Sequence, residues 1–278
     1  MIPQVASEYE QAISNPAVYA LDIAHQLAFR NGLGNSLFAS PHSVVNFASA
    51  TAFAQQSFSS PANLAVLSTG VDAGALGSLV SDFFVPSSPS THAASSSPAA
   101  YFGGELRTPA TGHSHSHLDH LLIAFKGAAA SEVDLAVLRC LLGGESSVKW
   151  SQGASPLAKL SQGTSTAQAF NFGYSDAGLF GIFVSAPTAG VEAIAQASVA
   201  ALKAVAAGPS ADAVKQAVLK AKFAAASAFE TRAGKLELLA SHVRLAGPQD
   251  TACTRLTLWN TDQRFWIGTD AGGALCKV

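Results

Sequence analysis

Ala169-Phe170-Asn171-Phe172-Gly173-Tyr174-Ser175-Asp176-Ala177-Gly178-Leu179-Phe180-Gly181-Ile182-Phe183-Val184 sets two apolar runs on either side of a short polar, glycine-bearing break. Aromatic and β-branched residues dominate both arms, the side chains that suit a pleated, half-buried surface. Ser175-Asp176-Ala177-Gly178 supplies side-chain acceptors and a residue free to take positive φ, the chemistry of a tight reversal. The stretch therefore reads as a buried antiparallel strand pair, with Asp176 a turn residue bonding its own backbone.

Downstream the period changes. Val191, Ile194, Ala195, Ser198, Leu202 and Val205 recur at helical spacing, and Val214, Ala217, Val218, Ala221, Ala225 and Ala228 form a second stripe beyond Pro209. Upstream, strands are expected near residues 101–108 and 117–125. Ser131, with Asp134 three residues on, marks the start of a helix that Gly143-Gly144 ends. Strands and helices thus segregate into layers, an α+β arrangement.

The first 85 residues carry a shorter set of elements. Asn15-Pro16 suits the N-cap and first turn of a helix whose apolar face runs through Ala17, Leu21, Ala24 and Ala28 and which Asn31-Gly32 closes. Ser40-Pro41 opens a second helix, and a strand is expected at 64–69. Asp72 then caps a helix expected to bury Leu76, Leu79, Val80 and Phe83. Residues 86–98 are almost wholly Ser, Pro, Ala and Thr, with too few apolar side chains to offset the entropy of ordering them. The expected division is a partial first domain at 1–85, a Ser/Pro-rich linker at 86–100, a second domain at 101–247 and an atypical tail at 248–278. In that tail, Leu256-Thr257-Leu258-Trp259 and Arg264-Phe265-Trp266-Ile267 read as an isolated hairpin.

Composition narrows the function classes. Charged residues make up 12% of the 278, against about 25% in ordinary soluble domains, while hydrophobic residues make up 49%. Large protein contacts follow from so thinly charged a surface. The net charge of −2 and the lack of a basic stripe interleaved with aromatics leave no footprint for a phosphate backbone, so nucleic acid is not an expected partner. Cys140, Cys253 and Cys276 are odd in number and widely spaced, which suggests neither a disulfide framework nor a thiolate zinc site. The most apolar long stretch, 191–207, is interrupted by Glu192, Gln196 and Lys203, so membrane association is expected to be peripheral. Residues 1–8 hold no basic residue, the opposite of a mitochondrial presequence, and no import signal is read there.

The opening stretch resembles the carboxyl-terminal domain of the family of mitochondrial processing peptidases and respiratory-complex core proteins, the M16 peptidase family. There, a tyrosine, small residue, Asp, small residue, Gly-Leu-Phe-Gly-Ile run joins two sheet strands. Four further segments agree in order: residues 15–35 with their Asn-Pro start and Leu33-Gly34, 63–72, Tyr101-Phe102-Gly103-Gly104-Glu105-Leu106-Arg107, and 141–150 ending in Lys149-Trp150. The match covers residues 12–245 and is nearest the non-catalytic core-protein branch in its fungal forms.

This resemblance implies processing-peptidase-like layered domains, the first incomplete through amino-terminal truncation. It implies a structural subunit of ubiquinol–cytochrome c reductase, with core protein 1, cytochrome b and cytochrome c1 as partners, forming a homodimer within the bc1 complex. Such subunits are peripheral, on the matrix side of the mitochondrial inner membrane, and carry no cofactor. The alternative within the family is the α-type, substrate-gripping subunit of a processing peptidase.

Candidate chemistry is sparse. His115-x-His117-x-Asp119-His120 spells the H-x-H-x-D-H ligand set of metallo-β-lactamase-type hydrolases, whose imidazoles and carboxylate hold two metals around a shared hydroxide. Such a site needs at least two more His downstream, and only His242 follows. The simpler expectation is a loop from Gly112 and His113 through Ser116 entering a strand, with His117 and Asp119 on one side and Leu118 and His120 on the other. The family's zinc motif, H-x-x-E-H, occurs at none of the eight histidines. The Gly/Ser-rich stretch 143–165 contains no G-x-x-x-x-G-K-[ST] and reads as a flexible loop. In the family it corresponds to a glycine-rich segment that touches presequences, a style that Lys149, Trp150 and Lys159 break. No catalytic, metal-ligating or cofactor-binding residue is therefore expected, and a metal hydrolase stays as the rival of a different class.

Overall fold

The computed structural model describes residues 2–39, 46–58, 66–83, 97–108, 118–144 and 153–246. The chain forms two compact units, one of residues 1–44 with 97–223 and one of 45–96 with 224–278.

The first unit is organised around the expected strand pair. β2 (Thr166–Gly173) and β3 (Gly178–Pro187) run antiparallel with Gly173 opposite Gly178, and β1 (Leu118–Lys126) pairs on the other side of β3, giving the order β1-β3-β2. β3 is buried from Gly178 to Ala186, as an unbroken apolar central strand must be.

Its two faces have different covers. Phe180, Ile182 and Val184 join Ala167, Leu157 and Leu142, the last from α5 (Asp134–Leu142), under Val191, Ile194, Leu202 and Val205 of α6 (Val191–Ala207). Leu179 on the opposite face joins Ala24, Ala28 and Phe29 of α2 (Pro16–Phe29), with Leu122, Ala124 and Phe170 packed alongside. The unit is thus a sheet with helices on both faces. α2 shares a core with strands that lie beyond the expected linker.

Several local expectations meet their residues. Asn15 Oδ1 accepts from the Ala17 and Val18 amides at 3.1 and 3.4 Å, with Pro16 in the first turn. Gly143 ends α5 at φ +70. The α6 stripe packs as expected, and its Ser198, fully buried, donates to the Ile194 carbonyl at 2.7 Å. α7 (Ala211–Ala228) follows Pro209 and buries Ala217.

Others are corrected. Gly178 does not sit at positive φ; a Cβ there would strike the Ala128 carbonyl oxygen and come within 2.9 Å of Phe172 O, so space and not φ requires the glycine. Asp176 bonds a distant backbone instead of its own: Oδ2 accepts from Ala99 N at 2.7 Å. Arg30, at φ 61, and not Asn31-Gly32, caps the end of α2. α5 begins at Asp134 without a side-chain cap, because the backbone from Ala129 to Glu132 is tied into a turn against the hairpin through Ala130 N to Tyr174 O. Residues 101–108 join no ladder; Gly103 turns the chain at φ +74 after Phe102 N–H donates to Ala28 O at 2.7 Å. α1 (Ile2–Ser14) precedes the expected first helix.

The described ends of the Gly/Ser-rich stretch close the outer side of β2 instead of looping freely. Gly143 O accepts from Ala169 N at 2.9 Å, Ser161 Oγ accepts from Ala167 N at 3.0 Å, and Leu157 is fully buried. Capping an edge in this way removes a template for strand addition. Residues 145–152, with Lys149 and Trp150, lie outside the described residues.

In the second unit, α3 (Phe47–Phe58) starts after Asn46, whose side chain accepts from Ser49 N at 2.7 Å; the expected Ser40-Pro41 start lies outside the described residues. Asp72 caps α4 (Ala73–Phe83) through the Gly74 and Ala75 amides. Leu79, expected to be buried, is 50% exposed, and the described residues 66–69 are not in a strand. α8 (Arg232–Ala246) is the last described element; the atypical tail and most of the linker fall outside the described residues.

Candidate functional site

The turn between β2 and β3 is where the chain's separated segments converge. Tyr174 reaches back across 149 residues to His25 of α2, with its hydroxyl 2.6 Å from Nε2. His25 Nδ1 lies 2.7 Å from the Leu21 carbonyl, which only accepts, so Nδ1 carries the proton and Nε2 accepts from the phenol. Burial pushes the Tyr174 phenol above its ordinary range, which keeps the hydroxyl proton in place as donor. Phe29, Phe172 and Tyr174 surround the imidazole with ring centroids 5.7 to 6.2 Å away.

Two residues on, Asp176 holds the segment that follows the expected linker through Ala99 N. That segment is pinned again where Arg30 lies over the Phe102 ring, 4.6 Å from its centroid. Gly178 and Gly181 admit no side chain: at Gly181 a Cβ would meet Ile123 O and the Phe170 ring. In the run that carries the family resemblance, Tyr174 and Asp176 bond to distant segments and residues 178–182 are buried, while Ser175 and Asp176 stay exposed at the turn.

The H-x-H-x-D-H segment is only partly described, since His113, His115 and His117 lie outside the described residues. Asp119 and His120 are consecutive on β1, opposite Ala186 and Ser185, so their side chains leave opposite faces of the sheet. His120 stacks on Phe183 at 5.8 Å and an interplanar angle of 15°. Its Nδ1 is buried and has no hydrogen-bond partner among the described residues. Burial lowers its pKa from 6.5, an effect the Asp119 charge opposes. Among the described residues no three His, Cys, Asp or Glu side chains gather where a metal ion could be held.

Sequence reasoning missed His25. Its nearest signal was a lone histidine on an apolar helical face, with nothing to show that a phenol distant in sequence would complete it.

What the surface offers is apolar contact. Phe102, Leu106, Leu121, Phe125, Phe172, Leu219 and Phe223 of the first unit are exposed, and so are Phe47 and Phe53 of the second. Singly such residues are ordinary; together they leave apolar surface exposed among the described residues.

The fold has a counterpart among solved structures. Over 88% of its length the chain superposes on 60% of a chain in complex III2 from Candida albicans with Inz-5 bound, at a TM-score of 0.67 and 14% identity. In sequence it is homologous to subunit 2 of the mitochondrial cytochrome b-c1 complex. It is 40% identical to that of Cryptococcus neoformans over 237 residues (84% of this chain, 54% of that one). It is 39% identical to that of Neurospora crassa over 232 residues (80% and 50%), and 37% identical to that of Yarrowia lipolytica over 220 residues (78% and 51%). The chain thus spans about half the length of the curated relatives it matches. No family model matches it.

Proposed function

We propose that the chain acts as a non-catalytic, core protein 2-type structural subunit of ubiquinol–cytochrome c reductase. It is peripheral on the matrix side of the mitochondrial inner membrane, in homodimeric contact within the complex and beside core protein 1, cytochrome b and cytochrome c1. Its sheet and helix layers are of the processing-peptidase type, with the sequence division at 1–85, 86–100, 101–247 and 248–278 as evolutionary units. The observation that carries this reading is the hairpin turn: Tyr174, Asp176, Gly178 and Gly181 are spent on internal contacts, the use expected of a run kept for architecture. The homology to cytochrome b-c1 complex subunit 2 supports it.

Affinity purification of the tagged chain from fungal mitochondria tests it. Recovery of cytochrome b or cytochrome c1 is the expected result. Recovery of a partner bearing H-x-x-E-H would instead assign a processing-peptidase α-type role. Stoichiometric zinc that is lost in His115→Ala would move the protein to the metal hydrolases.

A further inference from the structure

A groove of about 270 Å³ runs between α5, α6 and α7, walled by Cys140, Leu141, Pro156, Val205 and Ala217, with Lys220 at its side. Among its described lining residues Lys220 is the one ionic group. Next to it, α7 turns Leu219 and Phe223, one helical turn apart, toward solvent at 66% and 72% exposure. Lys215, Lys220 and Lys222 are exposed around them. Between Asp212 and Glu230 the sequence holds no acid, and Asp212 approaches only Lys215, at a loose 3.9 Å.

Dispersed in sequence, these three lysines flank two outward apolar side chains on the helix, and Lys220 alone also stands at the mouth of the apolar cleft. A charged partner protein needs only the lysines. The exposed leucine and phenylalanine together with the cleft ask for a ligand that pairs an anionic head with a hydrocarbon tail. The groove falls just under the roughly 300 Å³ at which whole small molecules are enclosed, which suits part of one acyl chain. No single described helix is long and apolar enough to cross a membrane.

We propose that α7 and this groove seat an anionic phospholipid at a membrane surface. Leu219 and Phe223 enter the acyl boundary, Lys215, Lys220 and Lys222 meet headgroup phosphates, and an acyl chain lies between α5, α6 and α7. The inference does not depend on assembly into a respiratory complex, because the lone chain carries every group it uses.

Sedimentation of the full chain with vesicles tests it, comparing phosphatidylcholine alone with phosphatidylcholine mixed with cardiolipin. Binding is expected for the mixed vesicles only, weakening with added salt and by about fivefold for each lysine replaced by alanine. Leu219→Ser with Phe223→Ser, and Ala204→Phe filling the groove that Ala204 of α6 also lines, should each lower binding while leaving its salt dependence. Equal binding to both vesicle types overturns the proposal. So does undiminished binding by the triple variant K215A/K220A/K222A with an unchanged far-UV spectrum, or binding to immobilised polyglutamate with none to vesicles, which would assign the face to an acidic polypeptide.

Discussion

His120 shows how little of a residue's role its motif can tell. In sequence it closes an H-x-H-x-D-H pattern; in the fold it stacks on Phe183, and the adjacent Asp119 leaves the other face of the strand. Burial holds its pKa below 6.5, so the folded chain favours the neutral ring while the unfolded chain protonates at the ordinary value. Stability from this group is therefore complete above that ordinary value and is lost as pH falls through it toward the folded one. His120→Phe keeps a stacking ring and removes the titration. Urea unfolding between about pH 8 and about pH 5 should show the native chain losing more stability on acidification than the variant, and parallel curves would remove this account. Tyr174 illustrates the converse: its partner His25 was invisible because the bond depends on two elements 149 residues apart.

At the scale of elements, the strand pair was readable because both of its signals are local: aromatic arms and a polar break with glycine. Asn15-Pro16 and Asp72 were readable for the same reason, since a cap bonds amides two or three residues on. Residues 101–108 were misread because Gly103 enters the left-handed region, which glycine permits but its presence does not dictate. α1 went unread although its apolar residues 2, 5, 6, 9, 12 and 13 recur at helical spacing. Asp176 was assigned to its own turn because Asx turns are the local default, whereas its partner, Ala99 N, lies 77 residues away. Asp176→Ala should cost about 1 kcal/mol and let the Ala99 amide exchange with solvent freely, while amides of β2 and β3 stay protected. Retained protection at Ala99 would mean that the Phe102–Ala28 bond and the Arg30 contact suffice to hold the segment.

Across the whole molecule, the packing of α2 matters most. Sequence grouped residues 1–85 as one body, yet α2 covers the face of the sheet that carries Leu179, Leu122, Ala124 and Phe170. Helix and sheet bury these groups mutually, and from outside the strands the described residues packed on that cluster come from α2, the turn at Leu33, the segment holding Ala99 and Tyr101, and Ala177 of the hairpin turn. Uncovering Leu179, Leu122 and Phe170 at roughly 1.5–3 kcal/mol each, together with the loss of Phe29 packing, approaches the whole 5–15 kcal/mol by which domains are commonly stable. Removing residues 1–39 should therefore leave a chain without a cooperative unfolding transition and with strong binding of a hydrophobic dye. Adding a synthetic peptide of residues 1–39 in trans should restore the transition, because the covering surface is then supplied without a covalent link. If the shortened chain melts cooperatively without the peptide, α2 is an accessory to a sheet that stands without it. Replacing Phe29 with Ala in the peptide should weaken rescue by about 3 kcal/mol or more, as for other buried phenylalanines, since Phe29 is 2% exposed against the sheet.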